Sequence, residues 1–254
     1  MKNIKLIVTD LDNTLLRRDK TVSAYTAGVF RRVRERGVLV AFATARDFRY
    51  ITEHISNHIN IAPDIIIADN GALARYNGDD IYRRLIPAEI VNSLMPRFDK
   101  VRCVSTENAY CLSGEYANDH WSIGKKETVI ADCINATKED ALYIDGNTDK
   151  TAAELTCGFP EIRAVKYSYV SLVTVVHHEA TKLKALIETE RALNIASDEI
   201  AAFGDDYGDI EFLSHCVYGT AVANAIVEAK SAASCVCGDC DEDGVAKWLE
   251  QKLL

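Results

Sequence analysis

Two carboxylates one residue apart, Asp10 and Asp12, stand in the stretch Thr9-Asp10-Leu11-Asp12-Asn13-Thr14 near the start of the chain. A second acidic group, Gly204-Asp205-Asp206-Tyr207-Gly208-Asp209, lies far along it. Between them come Thr44-Ala45-Arg46, Asp69-Asn70-Gly71 and Lys182. All but Lys182 directly follow short apolar runs. Carboxylates gathered on one edge repel each other unless a cation sits among them. An all-oxygen set without His or Cys favours a hard ion, and magnesium is the common choice. A hydroxyl (Thr44) and an ammonium (Lys182) beside such an ion suit a phosphate dianion. Lys182 follows Thr181, a good N-cap, which places it in the first turn of a helix. A cation there opposes the helix dipole. An anion held between Lys182 and the metal would account for it; a lysine pointing into solvent is the alternative.

To bring these groups together the chain needs a sheet whose strands all end on the same side. Residues 4–8, 38–43 and 65–67 are short apolar runs fit for strands buried on both faces. Helical spacing covers 22–36 and 47–59 between them, which implies a parallel sheet. In such a sheet the active site lies beyond the carboxyl ends of the strands. Asn77-Gly78 signals a hairpin between 72–76 and 81–84. The pattern then changes. A helix-like piece at 87–98 precedes strand-like pieces at 101–105, 109–112, 142–144 and 163–178, which read as an antiparallel sheet with helices. From Thr181 the first rhythm returns: helix 181–193, strand 199–203, strand 217–222 leading to Asn224, a helix near 225–232, strand 235–237 and a last helix near 243–253. One domain is therefore expected to interrupt another. Residues 1–85 with 179–254 form an α/β core with a Rossmann-like parallel sheet, and 86–178 form an inserted α+β domain.

Composition narrows the function classes. The 254 residues are 48% apolar and 26% charged, an ordinary globular mix. The net charge of −9 makes nucleic-acid binding an unfavourable expectation. The basic cluster Arg31, Arg32, Arg34 and Arg36 reads as the solvated end of a helix capped by Gly37. No apolar run is long enough for a membrane span, and the start lacks the pattern of a signal peptide, so a cytoplasmic location is expected. Eight cysteines without an export signal read as reduced thiols. Alternation puts Cys235 and Cys237 on one face of a strand, and with Cys240 they read as buried or incidental rather than as a zinc site.

With these residues in view, the chain resembles the haloacid dehalogenase (HAD) superfamily. Asp10-Leu11-Asp12-Asn13-Thr14 after an apolar strand matches its first signature, Thr44 the second, Lys182 the third, and Gly204 to Asp209 the fourth. The insertion between Asn70-Gly71-Ala72 and Lys182, and the ending Asp241-Glu242-Asp243-Gly244-Val245-Ala246, resemble the Cof-like subfamily of sugar-phosphate phosphatases with a C2-type cap. The resemblance implies that Asp10 is a nucleophile that takes the phosphoryl group as an aspartyl-phosphate. Asp12 would protonate the leaving alcohol and then activate water. Thr44 and Lys182 would hold the phosphoryl oxygens. Asp10, the backbone carbonyl of Asp12, and Asp205 would ligate Mg2+, with Asp209 and Asp206 behind them supporting Lys182 or the metal ligands. Arg46 and Asn70 match positions beside the site where substrate binds, and the inserted domain would close over the site and select the leaving group. Ala45, Leu183 and Gly208 depart from the subfamily pattern.

Other candidates have plainer readings. Asp145-Gly146-Asn147-Thr148-Asp149 has signature letters without partners and reads as a turn. His54 and His58 read as a surface helix, His177 and His178 as a solvated rim, and Trp121 as either core or substrate-facing. The expected function is a magnesium-dependent phosphatase of a small phosphorylated metabolite, a sugar phosphate. The alternatives are a metabolite-sensing module and a mutase-like phosphotransferase. Asp12 argues against the first, since a sensor needs no general acid or base.

Overall fold

The computed structural model describes residues 4–94, 101–105, 110–112, 128–130, 138–139, 141–145 and 148–254. Trp121, the side chain of His54, the residues Gly146 and Asn147, and the end of the helix expected over 87–98 lie outside the described residues. The chain divides into two compact units, Met1–Tyr82 with Thr181–Leu254, and Arg83–Ala180. It runs through β1 (Leu6–Thr9), α1 (Ala24–Glu35), β2 (Leu39–Ala43), α2 (Phe48–Tyr50), α3 (Ser56–Ile59), β3 (Ile65–Ala68), β4 (Leu73–Tyr76) and β5 (Asp79–Arg83). Next come β6 (Ile86–Pro87), α4 (Ala88–Leu94), β7 (Val101–Ser105), β8 (Tyr110–Leu112), β9 (Thr128–Ile130), β10 (Lys138–Glu139), β11 (Ala141–Asp145), α5 (Thr148–Thr156), β12 (Ile162–Lys166) and β13 (Leu172–His177). The last stretch is α6 (Lys182–Leu193), β14 (Ile200–Gly204), α7 (Ile210–His215), β15 (Tyr218–Ala221), α8 (Val227–Ala232), β16 (Cys235–Val236) and α9 (Gly244–Leu253).

The first unit holds an eight-stranded sheet in the order β16-β15-β14-β1-β2-β3-β4-β5. It is parallel from β16 to β3, and β4 pairs antiparallel with β3. Leu6, Ile7 and Val8 are fully buried, as expected of a strand covered on both faces. Successive strands lie outward from β1 on one side (β2, β3) and from β14 on the other (β15, β16). The order therefore reverses between β1 and β14, where ligands of doubly wound sheets sit. Thr9 is level with both Phe42 and Phe203, so the loops after β1, β2 and β14 leave the sheet at one height. The core below is aromatic and aliphatic: Phe30, Phe42, Phe203 and Phe212 are fully buried, and Trp248 meets Phe203 edge to face at 5.1 Å. Each such burial contributes about 1.5–3 kcal/mol.

Helix ends follow local chemistry. Ser23 caps α1, its hydroxyl accepting from the Thr26 N–H at 3.0 Å, and Gly37 takes φ +80° just past the other end. The basic cluster there is exposed, as expected, and makes surface contacts within the chain: Arg32 pairs with Glu250, Arg34 with Asp64 and the Ala62 carbonyl, and Arg36 with the carbonyls of Leu253 and Leu254. The stretch expected as one helix over 47–59 is helical throughout but passes through a π-type turn at Ile51–Ile55 between α2 and α3.

The second unit carries a sheet in the order β12-β13-β11-β7-β8-β9, a small pair β10-β6, and its own apolar cluster around Ile90, Leu155, Val173 and Val175. The strand expected over 163–178 is two antiparallel strands, β12 and β13, joined through Tyr167–Ser171. That connection contains no Gly, Pro, Asn or Asp, and its two serines, Ser168 and Ser171, are the weaker kind of turn residue, so the sequence marks it only faintly. Only the shared strand face expected of Cys235 and Cys237 needs correction, since β16 ends at Val236. Cys235 is exposed on the edge strand β16, Cys237 is half-buried and Cys240 buried, so they share no buried face; these three, Cys157 and Cys216 are all free. Among the described residues no helix is long and apolar enough to cross a membrane.

Candidate active site

The loop after β1 delivers Asp10, whose backbone N–H donates to the Phe203 carbonyl at 2.9 Å, fixing it between β1 and β14. The residue is 6% exposed. Lys182 reaches it from the first turn of α6, donating from Nζ to Asp10 Oδ1 at 2.7 Å and to Asp209 Oδ1 at 2.6 Å. Thr181 caps that helix as expected, its hydroxyl accepting from the Lys184 N–H at 3.0 Å. The lysine does not point into solvent: it is buried, and the anions that offset its unfavourable place on the dipole are these two carboxylates.

Asp209 organises the loop after β14. Its Oδ2 accepts from the N–H groups of Asp205 at 2.9 Å and Asp206 at 3.0 Å, while Oδ1 takes Lys182. This fold-back brings Asp209 against Gly204, where a Cβ would stand 2.5 Å from the Asp209 Cβ; only glycine fits. Asp206 is the N-cap of the short turn Tyr207–Asp209. Thr14, from the first loop, donates its hydroxyl to Asp205 Oδ1 at 2.9 Å and so ties the two acidic loops together.

Carboxylate oxygens of Asp10, Asp205 and Asp209 lie within 4.8 Å of one another. Burial pushes Asp10 up from the ordinary carboxylate value, Lys182 pulls against it, and Asp209 adds to the rise. Asp205 is pushed up by burial and then by Asp10 and Asp209, with the Thr14 hydrogen bond opposing. Lys182 supplies one positive charge to three carboxylates, and its ammonium is held above its ordinary value despite burial by Asp10 and Asp209. The remaining negative charge and the oxygen-only donors fit a hard divalent cation.

Asp12 is placed differently. Arg46 grips its carboxylate with Nε to Oδ2 at 2.7 Å and Nη2 to Oδ1 at 2.8 Å, and Lys20 approaches Oδ1 at 2.9 Å. Burial alone would raise Asp12; the Arg46 and Lys20 contacts overcome it and hold the carboxyl at about 2. Arg46 in turn lies over the Tyr50 ring at 4.6 Å. Thr44 is buried, its hydroxyl accepting from the Arg46 N–H at 3.2 Å and its carbonyl from the Asn70 N–H at 3.0 Å. Asp69, Asn70 and Gly71 all adopt positive φ, and a Cβ on Gly71 would stand 2.2 Å from the Thr181 carbonyl carbon. The loops after β2 and β3 and the start of α6 are thus joined backbone to backbone.

The structure therefore groups Asp10, Lys182, Asp205 and Asp209 directly, with Asp206 beside them and Thr44 and Asn70 bonded to each other on the loops after β2 and β3. Asp12 and Arg46 form a separate pair. Sequence reasoning passed over three contributors. Lys20 holds φ +67° in the turn after the first loop, Thr14 was a letter in a signature without a task, and Asn224 was only a polar residue after a strand. No signal pointed to Lys20. The threonine hydroxyl of the first signature could have suggested the bond to Asp205.

A family model described as haloacid dehalogenase-like hydrolase matches residues 7–249. A 5-amino-6-(5-phospho-D-ribitylamino)uracil phosphatase of Bacillus subtilis is 24% identical over 97% of this chain and 96% of its own. An HMP-PP phosphatase of Yersinia pseudotuberculosis is 23% identical, over 98% and 95%. Among solved structures, a HAD subclass IIB sugar phosphatase superposes with a TM-score of 0.81 at 24% identity, over 97% of this chain and 98% of its own.

Proposed function

The chain belongs to the haloacid dehalogenase-like hydrolases, and from that premise and the geometry of its acidic site we propose that it is a magnesium-dependent phosphatase of small phosphorylated metabolites, with sugar phosphates as the substrate class. One observation carries the reading: a buried carboxylate, Asp10, is clustered with a buried lysine that bonds it and with two further buried carboxylates, Asp205 and Asp209, at the switch point of the sheet. The similar proteins named as phosphatases support a small phosphorylated metabolite as substrate, and the similar structure named as a sugar phosphatase supports the sugar-phosphate class.

In this reading Asp10 attacks phosphorus with a carboxylate oxygen, and the bond from phosphorus to the ester oxygen breaks. Asp12 gives its proton to that oxygen, releasing the alcohol. Water then attacks phosphorus; Asp12 takes the water proton, and the acyl-phosphate bond breaks to return Asp10 and free phosphate. The Arg46–Lys20 grip keeps Asp12 ionised in the resting chain, the state needed by the water step. For the first step a substrate phosphate must draw these cations away so that Asp12 can carry a proton. Lys182 and Thr44 steady the phosphoryl oxygens. Asp10, Asp205 and the Asp12 carbonyl would hold Mg2+, which supplies charge neutralisation for the approaching dianion. The inserted unit would select the leaving group.

The test is a panel of phosphorylated metabolites assayed for phosphate release, with Asp10→Asn and excess EDTA as controls. Turnover of sugar phosphates that both controls silence is the expected result. Activity that survives Asp10→Asn would remove the nucleophile, and activity that survives EDTA would remove the metal.

A further inference from the structure

Asn224 lies just beyond β15 and uses both ends of its amide. Its Nδ2 donates to the Asn13 carbonyl at 2.7 Å, and its Oδ1 accepts from the Cys240 N–H at 2.9 Å. We infer that Asn224 is a positioning residue, a brace that holds the loop bearing Asp10 and Asp12 to the C-terminal turn.

Asn13 sits between Asp12 and Thr14 at φ +61°, a left-handed conformation that Asn tolerates better than most residues. The loop's internal bonds run from the Thr14 N–H to Leu11, from the Leu15 N–H to Asp10, and from the Leu16 N–H to Leu11. These knit the loop to itself and leave its seating on the sheet to outward ties. At Asp10 the tie is the backbone bond to Phe203; at Asp12 it is the side-chain grip of Arg46; at Thr14 it is the hydroxyl bond to Asp205; at Asn13, where the backbone carbonyl is held, it is Asn224. The peptide between Asn13 and Thr14 can turn only if its carbonyl leaves Asn224. Such a turn would shift Asp12 on one side and the Thr14 hydroxyl on the other.

The brace also has a firm footing. Cys240 opens the short turn Cys240–Glu242, whose N-cap Asp239 accepts from the Asp241 N–H at 3.0 Å and from Arg18 Nη1 at 3.0 Å. The loop after β1 is thus gripped from the C-terminal turn at three places, Asn13 through Asn224, Arg17 through Asp243, and Arg18 through Asp239 and Asp241.

The catalytic consequence rests on the phosphatase reading; the brace itself does not. Asn224→Ala removes both bonds, whereas Asn224→Asp keeps the acceptor for Cys240 and turns the donor for Asn13 into a repelling oxygen. Hydrogen–deuterium exchange of residues 10–16 is measured in both variants beside the wild-type chain, together with kcat and KM for p-nitrophenyl phosphate. Both variants are expected to exchange faster in that segment and to lose on the order of 10-fold in kcat, with KM within about 2-fold, because misplacement of reacting groups costs rate more than binding. Wild-type exchange in Asn224→Ala would overturn the brace. Wild-type exchange and kcat in Asn224→Asp would assign the effect to Cys240 and overturn it equally. A wild-type chain that hydrolyses no phosphate ester would remove the phosphatase reading, and the exchange comparison would still decide the brace.

Discussion

Lys182 and Asp10 are 172 residues apart in sequence, yet the ammonium lies 2.7 Å from the carboxylate with both side chains almost fully buried. The pair spans the junction between α6 and β1, and Asp209 completes it from a third element.

Lys182→Met should expose what this pair does. It leaves Asp10 and Asp209 buried without their cation, which costs about 3–5 kcal/mol in the metal-free protein. Urea unfolding in EDTA checks that figure. Turnover should fall about 100- to 1000-fold through loss of charge stabilisation at the phosphoryl group.

Magnesium stabilisation should depend on pH with a definite sign. Asp10 and Asp205 have an ordinary carboxyl value of 3.8, and the folded chain raises both. Above that value the folded chain therefore holds more protons than the unfolded one, and these two groups make the metal-free fold less stable as pH rises. Bound Mg2+ requires the ionised carboxylates, so protons compete with it. The gain in Tm from saturating MgCl2 should grow from about pH 5 to about pH 8. A gain that stays constant across that range would contradict the placement of these carboxylates around the ion.

Asp12→Asn should discriminate between leaving groups. An alkyl phosphate needs a proton on the departing oxygen, and its kcat should fall about 100- to 10000-fold. p-Nitrophenolate leaves readily without one, so its loss should be clearly smaller. Equal losses for the two esters would show that Asp12 does not protonate the leaving oxygen.

Gly204→Ala and Gly208→Ala form a matched pair. A Cβ at 204 meets Asp209 at 2.5 Å, whereas at 208 it comes no nearer than 3.9 Å to Asn70 Oδ1 and Lys182 Cε. The first should cost about 1–3 kcal/mol and weaken the Mg2+ response by moving Asp209; the second should stay close to wild type in stability. Thermal unfolding with and without Mg2+ separates them.

Much of this arrangement is legible in the sequence because it depends on short-range rules. Buried parallel strands appear as apolar runs, and Thr181 before Lys182 marks the start of a helix. The β12–β13 turn is nearly silent because Tyr167 to Ser171 holds only serines, the weaker turn formers, and no Gly, Pro, Asn or Asp. The Arg46–Asp12 pair and the Asn224 brace are silent for another reason. A single residue's type does not reveal a partner on a distant strand, and only the sheet order brings the loops after β1, β2 and β15 to one edge.

The close backbone approach of Gly71 to Thr181 has an outcome for protein engineering. On the outgoing side the β4–β5 hairpin separates the excursion from β3, so grafts of foreign modules have slack to absorb a mismatch. On the homeward side no such buffer exists: Thr181 is already pressed against Gly71, and the next residue is Lys182. A chimera that trims or lengthens the homeward joint will pull directly on the ammonium, so successful swaps should preserve Ala180-Thr181-Lys182 and vary the seam at the hairpin instead.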